Sequence, residues 1–186
     1  MKKELKSFTL IEIIVVIAVI ALTLPVLIAT IFILVRQQTK VVRLSQVKRE
    51  GDYLINIMEN TIKGEAVTIH SAKPSDDANI VCNTADSSFS GPPLYFLDKT
   101  GKWFGYEEGT NTVASASAVS SINLTSSKTI LSNFSISCSR STIDSPPSVS
   151  LNFDVCYDTG SGICTSNRPE EIASIHYQAR IKLRSY

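Results

Sequence analysis

The sequence predicts an α+β fold: a long N-terminal α-helix, membrane-spanning in its first half, packed on an antiparallel β-sheet domain. Three observations predict it. From Ile13 to Val35, 23 consecutive residues carry no charge, and about 20 suffice for a helix to cross a bilayer. Beyond Val35, apolar residues return every three or four positions, the period of one helix face. Past residue 65, apolar positions alternate with polar ones, which marks half-buried antiparallel strands.

Residues 1–7, Met1-Lys2-Lys3-Glu4-Leu5-Lys6-Ser7, read as a short basic leader. The apolar stretch then opens at Phe8 and holds a single carboxylate, Glu12, near its start. An acid in hydrocarbon is costly, so such a residue calls for a named partner. Position alone allows a plainer reading, in which Glu12 is solvated among headgroups at the membrane edge. A secretory leader would have an apolar core of about 7–15 residues and a small-residue cleavage site after it. This run is too long for that. Pro25 removes one backbone donor within the run, and either kinks the helix or melts it locally.

The leader, the segment Phe8-Thr9-Leu10-Ile11-Glu12 and the apolar helix after it resemble the class III signal of type IV prepilins and of the pseudopilins of type II secretion and DNA-uptake systems. The resemblance covers roughly the first third of the chain. It implies a pilin-like fold, cleavage between Ser7 and Phe8 by a prepilin peptidase, and N-methylation of Phe8. It also implies an assembly role for Phe8 and Glu12, the acid of one subunit meeting the N-terminal ammonium of a neighbour. Ser7 stands where the family usually has Gly, and the family's helix-bending proline is here Pro25. The implied partners are the peptidase, other pilin or pseudopilin subunits, and the cytoplasmic membrane with its assembly platform. The implied location is a single-pass cytoplasmic-membrane protein with its head outside, and an extracytoplasmic filament after assembly. Because the subunit at the extreme tip often lacks the acid in this family, Glu12 implies a place below the tip.

The flanking charges lean the other way. Lys2, Lys3 and Lys6 precede the apolar run, whereas Arg36, Lys40, Arg43, Lys48 and Arg49 follow it. The positive-inside rule is weak when a long domain follows, and the first signal usually dominates. The leader and the cysteines therefore place the domain outside.

Residues 36–64 read as an amphipathic extension of the helix. Val47, Gly51, Leu54/Ile55, Met58 and Ile62 fall on one stripe, with Arg43, Lys48, Glu50, Asp52 and Glu59 largely off it. Gly64 is the predicted stop after Lys63.

Residues 65–186 are predicted to form one β-rich head. From residue 66 onward there are nine Lys/Arg and eleven Asp/Glu, so the excess positive charge of a nucleic-acid binder is missing. Leu94–Leu97 and Lys102–Tyr106 flank Asp98-Lys99-Thr100-Gly101 as a hairpin. Phe134, Ile136 and Cys138 alternate with serines. Val149, Leu151, Phe153 and Val155 form a second alternating set, and Ile175, Tyr177, Ala179, Ile181 and Leu183 a third. The stripe of the long helix is the simplest core for these faces. Between Gly109 and Lys128 the chain is rich in Ser, Thr, Asn and Ala, and reads as a long loop or an irregular edge. The two C-terminal strands also resemble, in pattern rather than by motif, those of the J-type and related larger minor pseudopilins.

Four cysteines in an exported chain suggest two disulfides, for which three pairings exist. Cys156 and Cys164 flank the turn-rich segment Tyr-Asp-Thr-Gly-Ser-Gly-Ile, which favours a bridge closing that loop. Cys82, at strand spacing from Ile80, and Cys138 both fit inward positions, which favours a bridge across the core. Four reduced, packed thiols would be the arrangement of a cytosolic chain.

Catalytic readings fare poorly. Asp158-Thr159-Gly160-Ser161-Gly162 spells the segment around an aspartic protease's catalytic acid, but that chemistry needs two carboxylates sharing a proton, and one motif is present. A Gly-rich turn is the simpler reading. Asp154 and Asp158 could contribute to a Ca²⁺ site, which needs six to eight oxygens, but no EF-hand pattern accompanies them. His70 and His176 lack metal-ligand spacing, and no Gly-rich phosphate loop occurs. No enzyme, cofactor or metal is expected. The basic row Arg180, Lys182 and Arg184 is either a contact strip or a solvated face paired with acids such as Asp154. Two rivals to the filament subunit follow: a single-span extracytoplasmic binding protein, and an adhesin or DNA-capturing tip subunit.

Overall fold

The computed structural model describes residues 9–73, 79–160, 162–164 and 172–184. Ser7 and Phe8, the expected cleavage site, and the leader lie outside the described residues. The chain divides into two units, Met1–Val41 and Val42–Tyr186. Among the described residues there are one helix, α1 (Leu10–Glu65), and nine strands.

In the first unit α1 is apolar on every side. Its large side chains from Leu10 to Leu34 are 46–76% exposed, so nothing in the unit covers them. By length and composition this helix could cross a membrane. α1 runs through Pro25 without interruption, so the local melting expected there as one of two readings is not seen. A proline costs the helix one hydrogen bond and crowds the preceding turn, and the helical bonds on either side carry the chain past it. The expected end at Lys63, with Gly64 as the stop, falls two residues short of the observed end at Glu65. Gly64 is helical, and Ala66 N–H still donates to Ile62 O at 3.1 Å before the chain turns into β1 (Thr68–His70).

In the second unit the predicted stripe is the buried one: Val47, Gly51, Leu54, Met58 and Ile62. Burying each large apolar side chain contributes about 1.5–3 kcal/mol. The strands form two antiparallel sheets rather than one. The first has the order β1-β3-β4-β5-β6, with β3 at Leu94–Leu97, β4 at Trp103–Gly109, β5 at Thr112–Ser117 and β6 at Ser121–Asn123. The second has the order β2-β7-β8-β9, with β2 at Ser87–Ser90, β7 at Thr129–Arg140, β8 at Ser148–Tyr157 and β9 at Ser174–Lys182. Both contribute to one core with the helix stripe, including Phe96, Tyr106 and Val113 from the first sheet and Ile136, Leu151 and Phe153 from the second.

The β3–β4 hairpin pairs Leu97 with Trp103. Its turn is held by Asp98 Oδ1, which accepts from the N–H groups of Thr100 at 2.7 Å and Lys102 at 2.8 Å, with Gly101 at φ 78°. The long-loop reading of residues 109–128 is corrected by β5 and β6. Val113 and Ala116 are buried there, and the Ala and Ser positions are too small and too alike for the alternation to register in the sequence. β6 is indeed an edge, exposed throughout. In β7 the ladder slips between Ser132 and Ser135, where Asn133 adopts a left-handed conformation at φ 55°. After glycine, Asn and Asp tolerate that region best.

Cys82 is bonded to Cys138, with Cα atoms 6.2 Å apart, and Cys156 to Cys164, at 5.7 Å. The expected strand phase of Cys82 is not what positions it. Ile80 makes only an isolated bridge to His70, and Cys82 itself sits at φ 57°.

Candidate assembly site

Glu12 lies in the first turn of α1, three residues after Thr9. Thr9 donates both its N–H and its Oγ1–H to Glu12 Oε2, each at 2.9 Å. The spacing Thr-x-x-Glu at a helix start is that of a capping box, and the half formed here is the acid reaching back to the Thr9 N–H. The first turn of any helix leaves backbone donors unsatisfied, and here the acid satisfies one of them. Sequence reasoning missed Thr9, although the Thr9/Glu12 spacing was its signal. No described residue donates to Glu12 Oε1. Among the described residues, then, the carboxylate has one oxygen occupied and one without a donor, at the opening of an apolar helical stretch.

Further along the same helix, threonines return their hydroxyls to the backbone: Thr23 to Val19 O at 3.0 Å and Thr30 to Leu27 O at 2.8 Å. The apolar surface therefore carries few free polar groups.

The second unit is anchored to its own stretch of helix by Tyr177. Its O–H donates to Lys48 O at 2.9 Å and to Asp52 Oδ1 at 3.2 Å, and its ring stacks on Phe153. Burial, then the Asp52 charge, pushes the phenol up to about 12. Gly51 leaves the gap that the ring fills. Glu50 Oε1 adds a second tie by accepting from Ser126 N–H at 2.7 Å.

The remaining candidates separate. Asp158 Oδ1 accepts from Gly160 N–H at 2.7 Å and from Gly162 N–H at 3.3 Å, so it organises a turn. Ser161 lies outside the described residues. Asp154 accepts from Asn133 at 2.7 Å and meets His176 Nδ1 at 2.7 Å, and these contacts, the Asn133 bond foremost, hold its carboxyl below the usual range. The expected pairing of Asp154 with the basic row is thus replaced by His176, its direct cross-strand neighbour. Arg180 reaches Ser148 Oγ instead, at 3.3 Å. His70 is buried with Nε2 against Thr68 Oγ1 at 2.9 Å. No group of three or more His, Cys, Asp or Glu suited to a metal occurs among the described residues.

One cluster was not foreseen. Glu107 accepts from Tyr95 O–H at 2.6 Å and pairs with Lys73 at 3.2 Å; the Tyr95 bond is the main reason its carboxyl lies below the ordinary range. Lys73 also lies 5.6 Å from the Trp103 ring centre. These residues come from three segments of the first sheet's surroundings, which no local pattern connects. Comparison with known proteins finds no matching family model, no matching curated protein and no matching solved structure.

Proposed function

We propose that the chain is a minor pilin or pseudopilin, a structural subunit of a type IV pilus, type II secretion or DNA-uptake filament. The observation that carries this reading is Glu12: a carboxylate held by Thr9 through Oε2, opening an apolar helical stretch whose large side chains from Leu10 to Leu34 no described residue covers. In this reading the precursor rests in the cytoplasmic membrane through residues 8–35, with its disulfide-bonded head outside. Cleavage between Ser7 and Phe8 by the prepilin peptidase creates a new amine, which is methylated on Phe8. On the assembly platform, the amine of an incoming subunit meets Glu12 of a neighbour.

Opposite charges attract strongly where water is excluded. The cost of keeping both from water makes such a pair a better device for register than for net stability. Thr9 acts as a positioning residue, holding Oε2 so that Oε1 meets the partner. Transfer from lipid to filament exchanges lipid contacts for helix–helix packing.

Mass spectrometry of the mature N-terminus tests processing. Methylated Phe8 is the expected species, and an intact Met1 would overturn the reading. Glu12→Ala is expected to be cleaved normally yet to enter filaments poorly. Thr9→Ala is expected to lower incorporation roughly fivefold, the equivalent of one lost helix cap, while Thr9→Ser restores it. Normal co-assembly of the Glu12→Ala subunit would remove the pairing step.

A further inference from the structure

The second sheet ends on β9, and no described strand pairs with its outer side. An open edge offers unpaired N–H and C=O groups, which proteins blunt by shortening the strand, bulging it, placing Pro on it, or charging it. Of these devices β9 shows only charge. It is nine residues long and holds register with β8 from Ser148↔Lys182 to Cys156↔Ser174 without a shift. It contains neither Pro nor Gly. Its exposed row reads His176, Gln178, Arg180, Lys182, and Arg184 follows in phase. None of the three cations has an acidic partner among the described residues. Arg180 and Lys182 open on a depression of about 300 Å³ shared with Ser139, Ser141, Thr142 and Ser145.

The sign of this row selects a partner. Like charges directly opposite each other across a strand pair are destabilising, so β9 disfavours pairing with the β9 of a second copy in parallel register or antiparallel about Arg180 or Lys182, and pairing antiparallel about Gln178 leaves both cations without an acid opposite. The other edges of this chain offer no complement, since β1, β2 and β6 contain no acidic residue. We propose that β9 is a docking edge for an extended segment of another protein with acidic residues at alternate positions. That segment adds as a fifth strand, its carboxylates facing Arg180 and Lys182. Same-face residues on a strand repeat about every 6.8 Å, so acids two residues apart meet both cations. Main-chain bonds supply affinity, and the charge pairs set register and exclude wrong partners. The inference rests on β9 alone and stands apart from the filament reading.

The test uses the full chain in detergent micelles with two synthetic nine-residue peptides, one alternating Val with Asp and one alternating Val with Lys. The acidic peptide is expected to slow amide hydrogen exchange along Ser174–Lys182, and the basic peptide to leave it unchanged. The double variant Arg180→Glu/Lys182→Glu is expected to bind the acidic peptide roughly tenfold more weakly, the scale of two cross-strand charge pairs, and to bind the basic one instead. That gain is a readout only a folded protein can give. Unchanged exchange at β9, equal binding of both peptides, or a variant whose preference does not switch would each overturn the proposal. So would a single-stranded oligonucleotide that displaces the acidic peptide and binds more tightly without protecting β9 amides, since the row would then serve phosphates.

Discussion

A Cβ on Gly51 would stand 2.1 Å from Cε2 of Tyr177. An aromatic ring at the end of a free side chain could swing away, but this one is held by Lys48 O at its hydroxyl and by Phe153 across its face. Gly51→Ala is therefore expected to destabilise the head by about 1–3 kcal/mol, the usual cost of overpacking. The measurement is the urea midpoint at unchanged slope, and an unchanged midpoint would show that the ring relocates freely. Gly64 is a useful contrast within the same helix, because a Cβ there meets nothing within 4 Å. Gly64→Ala should be neutral or slightly stabilising, since Gly costs a helix interior about 1 kcal/mol relative to Ala.

Tyr177 makes β9 and the helix responsive to alkali. Its phenol rises from 10.0 to about 12 in the folded chain. A group with a raised folded pKa contributes stability that is full below its unfolded value and is lost as pH climbs through the folded one. The helix–β9 contact should thus weaken between pH 10 and about 12. Tyr177→Phe is expected to lower stability at neutral pH through the lost hydrogen bonds, by about 1 kcal/mol, and to flatten this alkaline limb. Denaturant melts of both proteins across that window measure it, and parallel limbs would remove Tyr177 as the cause. The β6 edge of the first sheet behaves differently: it is three exposed residues and short enough to be protected by brevity.

Over the molecule as a whole, the Cys82–Cys138 bridge spans 56 residues and the Cys156–Cys164 bridge 8. The longer loop restricts the unfolded chain more, and removing a native bridge of this kind costs about 2–5 kcal/mol. The double change Cys82→Ser/Cys138→Ser should lower the thermal midpoint more than Cys156→Ser/Cys164→Ser does; the reverse order would point to native strain rather than chain entropy. Much of the architecture was legible because two periods were: the stripe Val47–Ile62 at helical spacing, and Val149–Val155 at strand spacing. β5 escaped because Ala and Ser fill both of its faces. The division into two sheets escaped because alternation reports which face is inward and not which neighbour a strand takes. At the helix start, Glu12 was conspicuous as a charge among apolar residues. Thr9 was hidden by ordinariness, its role visible only as a three-residue spacing.

The Tyr177 ring in the Gly51 gap also bears on mechanics. The head grips its own helical segment through a ring seated in the Gly51 gap, its hydroxyl fastened to the Lys48 carbonyl. A tensile load drawn along the helix axis must break that bond and part the ring from the Gly51 gap before the stripe can leave the core. Load is thereby handed to β9 and on to β8, whose ladder runs unbroken over nine paired positions. Part of the resistance to pulling then rests on one phenol, beside the buried stripe and the Glu50–Ser126 bond, and single-molecule extension of Tyr177→Ala should show the helix leaving the head at lower force.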